Sequence, residues 1–346
     1  LEKTFANFMG TEDAILYSDG IACLSSVIPA FSKAGDLIIA DEFVNFGIQQ
    51  GIRLSRSKVH YFKHNDIASL EEELKKNDKA WSQEKKLKNR RFIVVEGIYA
   101  YTGQISPLKQ IVELAKKYKF RVILDDTLAI GHLGKSGRGS YEHWGLTVND
   151  VDLICANLDT TLSSVGGLCI GSKQAVSHQR LSGAGYCFSA ASPPYTAKAA
   201  TVTLGLIDAN PALPAMLKTK TAPFYTSLKS AAEKVGFDVS GDVNSPMAHL
   251  RIAAKDAKEW GVDLKDAKAV RAVLKRVSHK LRDEHIIVGL STYLPGESRA
   301  PSPSLKVCIT ALHADEDIKM IVKAIVDAAV AVRSEIKKCE LDSIHA

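Results

Sequence analysis

Five short apolar runs lie between residues 14 and 124: Ala14 to Tyr17, Leu37 to Ala40, Val59 to Phe62, Phe92 to Val95 and Val122 to Leu124. Helical patterns separate them, near Ile21–Lys33, Phe46–Ser55, Ile67–Lys75 and Leu108–Lys117. No other feature narrows the fold as far. Strands joined through helices line up side by side in one direction, which predicts an α/β fold with a mostly parallel sheet. A helix over Leu1 to Met9, stopped by Gly10, precedes the first strand. After Pro193-Pro194 the pattern changes. Helical stretches over Tyr195 to Asp208 and Pro214 to Val235 lead to a strand-like Ala248 to Ile252. A helix near Asp266 to Arg282, a strand-like Leu305 to Thr310 and a final helix follow. This order predicts a large domain over residues 1–210 and a smaller C-terminal α+β domain over residues 211–346. No internal repeat is visible.

In such sheets ligands bind beyond the carboxyl ends of the strands, where Glu96, Asp125 and the turn after Ala156 fall. The stretch Val151 to Gly171 (VDLICANLDTTLSSVGGLCIG) reads as a buried strand over Val151 to Ala156, a polar turn, and a second apolar run opened by Gly166-Gly167. No lysine occurs between Lys135 and Lys173, and Thr160 stands in the turn.

Composition excludes several function classes. With 346 residues, 46% of them hydrophobic, the chain can bury a large core and form two lobes. A net charge of +6 is too weak for this length to imply nucleic acid. Cys23, Cys155, Cys169, Cys187, Cys308 and Cys339 lack CxxC spacing, and several fall in apolar runs, so they read as reduced core thiols. His60 and His64 have HxxxH spacing but straddle a strand and its exit, with no Glu after the first, which speaks against a metal site. Gly134 to Gly139 lacks the order of a dinucleotide fingerprint. Ser18-Asp19-Gly20 opens a helix, as a phosphate cradle or as a plain N-cap. No run of eighteen apolar residues is present, so no membrane-spanning helix is expected within these residues. The chain opens at Leu1-Glu2 with no initiator Met or signal peptide, as expected of a piece of a longer protein. From Lys75 to Arg91 eight basic residues face only Asp78 and Glu84, with Trp81 among them. That stretch is either a solvated insertion or a contact with an anionic membrane surface.

Three segments together resemble the α-oxoamine synthases, pyridoxal-phosphate (PLP) enzymes that condense an amino acid with an acyl-CoA. EGIYAYTGQISPL (Glu96 to Leu108) resembles the family's E-G-x-x-S-M-x-G segment. LDDTLAIGHLGKSGRG (Leu124 to Gly139) resembles its V-D-E-A-H-S-x-G-x-x-G-x-x-G-R-G segment, and GYCFSAASPPY (Gly185 to Tyr195) its F-S-T-A-x-P-P turn. The resemblance implies a PLP-dependent transferase fold of type I. It also places the family's Schiff-base lysine where this chain has Thr160, whose hydroxyl cannot form an imine.

The departures are grouped. Leu128 replaces the histidine that would bond the cofactor's ring hydroxyl, Asn45 the histidine that would stack on the ring, and Ser304 the arginine for a substrate carboxylate. Asp125 keeps the carboxylate that would pair with the pyridine nitrogen, or serves as a structural strand end. This pattern resembles the long-chain-base-1 group, the non-catalytic subunits of eukaryotic serine palmitoyltransferase. RLSGAGYCFSAASPPY, FIVVEGIYAYTG and YFKHND carry that likeness.

The likeness implies a heterodimer in which a long-chain-base-2 subunit binds PLP covalently and condenses L-serine with palmitoyl-CoA. Ser189 and Ala190 would then reach that partner's PLP phosphate in trans, or Ser189 would simply cap the next helix. Asn45, Asp125, Leu128 and Thr160 would line a vestigial cleft at the interface, with Asn45 alternatively plain filler. The likeness further implies attachment to the endoplasmic-reticulum membrane through an N-terminal segment, a cytosolic-face location, Orm-type regulators and small activating subunits. Two other readings stay open: an active homodimer using a displaced Lys135 or Lys173, and a module that senses acyl-CoA or lipid.

Overall fold

The computed structural model describes residues 1–83, 89–294 and 297–344, without the side chains of residues 79–83 and 339–344. Two compact units result: Leu1–Ala100 with Ile105–Ala215 and Glu297–Arg299, and Tyr101–Gln104 with Met216–Gly296 and Ala300–Ala346. The division falls at 215/216, inside a helix, rather than at the expected 210/211.

Among the described residues the first unit holds seven strands: β1 (Asp13–Tyr17), β2 (Leu37–Asp41), β3 (Lys58–Phe62), β4 (Arg91–Glu96), β5 (Arg121–Asp125), β6 (Leu153–Asn157) and β7 (Gly167–Gly171). They form one sheet in the order β1-β7-β6-β5-β4-β2-β3. The pairs from β3 through β6 are parallel, and β7 runs antiparallel to both β6 and β1. Every residue of β2 and β4 is buried, as a strand covered on both faces requires. Edge strand β3 has only Phe62 fully covered.

Helices α1 (Glu2–Met9), α2 (Gly20–Phe31), α3 (Phe46–Ser55), α4 (Ile67–Gln83), α5 (Leu108–Tyr118), α6 (Ser140–His143), α7 (Lys173–Ser182), α8 (Ala184–Cys187) and α9 (Pro194–Ala209) connect and cover these strands. Leu24 and Ile28 of α2, Ile48 and Ile52 of α3 and Val176 of α7 pack with Ile38 and Phe92 on one face. Phe5 of α1, Leu70 of α4, Ile111 of α5 and Leu204 of α9 pack with Ile39 and Ile93 on the other. Alternate residues of each strand thus serve opposite cores, each large side chain contributing about 1.5–3 kcal/mol.

The second unit contains most of α10 (Ala212–Ala232), then α11 (Ala267–Asp283) and α12 (Asp315–Ile344). Its strands β8 (Phe237–Gly241), β9 (Met247–Ile252), β10 (Gly289–Leu290) and β11 (Leu305–Cys308) form an antiparallel sheet ordered β10-β11-β9-β8. Trp260, fully buried, packs its ring 5.0 Å from Phe237 and donates Nε1–H to the Gly236 carbonyl at 3.2 Å. Among the described residues no helix is long and apolar enough to cross a membrane.

Some sequence expectations need correction. Cys23, Cys155 and Cys169 are buried free thiols, whereas Cys187 and Cys308 are exposed, and the side chain of Cys339 lies outside the described residues. The basic stretch is better matched by acids than its own span suggested. Lys75 pairs with Glu71, Lys76 with Glu72 and Glu73, and the buried Arg91 with Asp78. Residues 84–88 and the side chains of Lys79 and Trp81, on which the membrane-contact reading rests, lie outside the described residues.

Candidate functional site

Four neighbouring parallel strands each end in a polar residue: Asp41 on β2, Glu96 on β4, Asp125 on β5 and Asn157 on β6. The carboxyl edge of a parallel sheet is where such folds place their chemistry, because the chain turns there and leaves a crevice. Glu96 and Asp125 sit directly opposite each other in the ladder. Burial, and for Glu96 also the charge of Asp125, pushes both carboxyls above their ordinary range.

Amides and hydroxyls of this chain fill the two carboxylates. Glu96 accepts the Asn45 N–H at 2.6 Å through Oε1 and the Ala100 N–H at 2.9 Å through Oε2. Asp125 accepts the Thr127 N–H at 3.1 Å and its hydroxyl through Oδ1, and the Asn45 side-chain amide at 2.7 Å through Oδ2. Asn45 is also the N-cap of α3, its Oδ1 accepting the Ile48 N–H at 3.2 Å. One asparagine therefore ties a helix start to two strand ends. The hydroxyl of Thr160, in the turn after β6, donates to the Thr127 carbonyl at 3.1 Å. Leu128 lies half-buried in the turn directly after β5.

The N-terminus of α2 faces the same edge. Its cap is Asp19, whose carboxylate accepts the Ala22 N–H at 2.7 Å, so the plain N-cap reading of Ser18-Asp19-Gly20 holds. The Asn157 amide lies so close over Gly20 that a Cβ there would overlap it. Its Oδ1 is buried with no partner among the described residues.

Next in the chain, Asp126 is wholly buried between Gly97 and Gly139. It accepts the Ser140 N–H at 2.8 Å and the Ser140 hydroxyl. Burial pushes its carboxyl up to about 7 against the pull of those bonds.

Ser189 and Ala190 lie on an exposed loop after α8. Ser189 does not cap the next helix: the residue before α9 is Pro193, and the Ser189 hydroxyl donates to the Gly185 carbonyl at 2.7 Å. Its oxygen also lies 3.3 Å from the Ser18 hydroxyl. A cavity of about 680 Å³ opens beside this loop, lined by Tyr17, Ser18, Tyr186 and Ser189 to Ser192. Phe188 and Tyr195, flanking it, are 89% and 74% exposed.

Ser304 belongs to the second unit, where its hydroxyl is buried 2.8 Å from His249 Nδ1. His60 pairs with Glu73 and His64 with Asp41, and no group of metal-ligating side chains occurs among the described residues.

Asn45, Asp125, Thr160 and the strand-end Glu96 thus converge. Asp19, expected from the Ser18-Asp19-Gly20 turn, joins them, and Thr127 and Asn157, which were not singled out beforehand, complete the constellation. The signal for Asn157 was a polar residue ending an otherwise apolar strand. For Thr127 it was a hydroxyl two residues after a strand-end Asp.

The sequence profile of the aminotransferase class I and II family matches residues 1–325. The chain is 39% identical over 331 residues to long chain base biosynthesis protein 1c of Oryza sativa subsp. japonica, covering 96% of this chain and 66% of that protein. To serine palmitoyltransferase 1 of Dictyostelium discoideum it is 36% identical over 330 residues, covering 94% and 67%. It therefore spans about two thirds of the length of these curated relatives. Among solved structures, Sphingomonas wittichii serine palmitoyltransferase superposes with a TM-score of 0.79 at 23% identity, over 96% of this chain and 75% of that one. The 8-amino-7-oxononanoate synthase of Francisella tularensis gives 0.74 at 21% identity, over 97% and 87%. The chain thus belongs to the aminotransferase class I and II family, and within it to the group named long chain base biosynthesis protein 1 and serine palmitoyltransferase 1.

Proposed function

We propose that this chain is the non-catalytic subunit of a serine C-palmitoyltransferase. A lysine-bearing partner of the long-chain-base-2 type carries PLP. That partner condenses L-serine with palmitoyl-CoA to 3-ketodihydrosphingosine, releasing CO2 and CoA, the first step of sphingolipid base synthesis. The observation that carries this reading is Thr160, whose hydroxyl is tied to the Thr127 carbonyl where the family's amine stands. A hydroxyl there can neither capture an aldehyde nor serve as the amine acid and base.

The residues of this cleft do not fit PLP. Both oxygens of Asp125 already accept bonds from Thr127 and Asn45, so a pyridinium N–H would have to share Oδ2 with the Asn45 amide. The turn after β6 offers Thr160 in place of an amine. At the start of α2, where a phosphate could settle, the Asp19 carboxylate already caps the helix with the same sign of charge. No step is therefore routed through a cofactor held by this chain.

What the chain offers its partner is the loop after α8. The backbone N–H groups of Ser189, Ala190 and Ala191 have no acceptor among the described residues, while the Ser189 hydroxyl is turned back on Gly185. Amides rather than the hydroxyl are thus the donors free to hold a phosphate across an interface. Attachment to the endoplasmic-reticulum membrane with the chain on the cytosolic face belongs to the same proposal. So do Orm-type regulators and small activating subunits.

An active homodimer would need Lys135 or Lys173. Lys173 follows β7, whose last residue, Gly171, pairs with Leu153 at the start of β6. It therefore lies at the opposite sheet edge from Asn157, about 13 Å away at 3.3 Å per residue.

Co-expression and absorbance spectroscopy test the proposal. The lone chain with PLP is expected to show no aldimine absorbance, and the native preparation to contain a lysine-bearing homologue. Cofactor bonded to this chain would overturn the reading. Thr160→Lys is expected to leave the lone chain inactive, since the ring-stacking and ring-hydroxyl partners are still missing at Asn45 and Leu128; normal turnover would refute the account. In the complex, Ser189→Trp is expected to lower turnover at least tenfold with co-purification intact, whereas parallel loss of both would make the loop merely structural.

A further inference from the structure

We infer that the amino-terminal edge of the seven-stranded sheet holds a second binding site, for a small organic oxyanion: a phosphomonoester or carboxylate on an apolar body. A cavity of about 320 Å³ opens there, on the side of the sheet away from Asp125 and Asn157. The starts of β4, β5 and β6 and the first turn of α7 form its walls.

Its floor is apolar: Phe92 and Leu153 are buried in the core, and Phe31 packs its ring 5.1 Å from His178. Two guanidinium groups stand over that floor. Arg90 is held in place by donating one N–H to the Phe31 carbonyl at 2.9 Å, which leaves its other donors available. The Arg121 side chain, exposed at the start of β5, makes no hydrogen bond and no close ion pair among the described residues, though its charge acts on the neighbouring Asp152 carboxylate. Paired arginines bind carboxylate and phosphate through parallel N–H donors.

The one carboxylate in the wall is Asp152, and it is partly committed, accepting the Val122 N–H at 2.8 Å. The site does not rest on the helix start: the Lys173 N–H goes to Glu12 and the Ala175 N–H to the Ser172 hydroxyl. Selectivity follows from the walls. The space exceeds a bare inorganic anion, and Phe31, Phe92 and Leu153 reward an apolar body.

Calorimetric titration of the full chain with phenyl phosphate, benzoate and inorganic phosphate tests this. At least one of the two aromatic anions is expected to bind saturably, one per chain, and inorganic phosphate at least tenfold more weakly than it. Whichever aromatic anion binds tighter identifies the head group. Arg121→Glu is expected to weaken binding more than tenfold, and Asp152→Asn to tighten it several-fold. Lys109→Glu, the same charge change on exposed α5, is expected to leave affinity unchanged. The proposal fails if neither aromatic anion saturates, if inorganic phosphate binds as well, or if Arg121→Glu and Lys109→Glu weaken binding equally. All three altered residues are exposed, and circular dichroism of each variant verifies that the chain is folded.

Discussion

Gly97→Ala is expected to lower the unfolding temperature by about 10 °C, a larger loss than most surface changes could cause. A Cβ at this position would overlap Asp126 Oδ1 and the Ser140 hydroxyl, which are hydrogen-bonded to each other. All three residues are packed beneath the carboxyl ends of β4 and β5. Neither partner is the loose end of a flexible side chain, so the methyl must push a strand end or break the bond. Overpacking costs about 1–3 kcal/mol, and leaving a buried carboxyl short of a donor adds about 1–3 more. At about 2–4 °C per kcal/mol for units of this size, the sum reaches the stated shift. Scanning calorimetry measures it. A change below about 2 °C would mean that Asp126 and Ser140 can rearrange freely.

The Asp126 contribution to stability is expected to fall as pH rises from about 4 to 7. Between about 4 and 6.5 it is offset by His132, whose pKa burial lowers to about 4 and which therefore favours the folded state as pH rises. The folded chain holds the Asp126 proton up to about pH 7, against an ordinary value of 3.8. Between those values the folded state binds more protons than the unfolded one, so its advantage is complete below about 4 and is lost as pH passes 7. At 1.36 kcal/mol per pKa unit the span corresponds to roughly 4 kcal/mol. Glu96 and Asp125, also raised by burial, act in the same direction. Urea unfolding at pH 5, 6, 7 and 8 reads the slope. Asp126→Asn, whose amide can still meet Ser140, removes the falling contribution and is expected to make the slope more positive by up to about 1.4 kcal/mol per pH unit. A slope unchanged in the variant would contradict the burial of a protonated acid here.

How far the fold could be read from residues differs between the two units. Strands β2 and β4 are covered on both faces, so they appear as unbroken apolar runs and were placed to within a residue. β8, with its polar Asp238 and Ser240, and the two-residue β10 carry no such run. They exist because β9 and β11 offer them hydrogen-bonding edges, a relation no local window contains.

The site divides in the same way. Asp125 and Glu96 were legible because a strand end is a local feature. The bond from Asn45 to Asp125 joins residues 80 positions apart and became visible only with the fold. Thr127 was passed over because its importance lies in two bonds to a neighbouring carboxylate and not in any motif.

The triple engagement of Asn45 has a bearing on how such a subunit could change over generations. Because the Asn45 side chain caps α3 and donates to Asp125 while its backbone N–H holds Glu96, replacing that side chain uncaps a helix and leaves one buried acid short of a donor. Under the proposed function, an amine at position 160 alone would gain nothing, because the residues at positions 45 and 128 would still lack the ring partners. If the proposed function holds, a lineage in this state would be ratcheted into dependence on a companion.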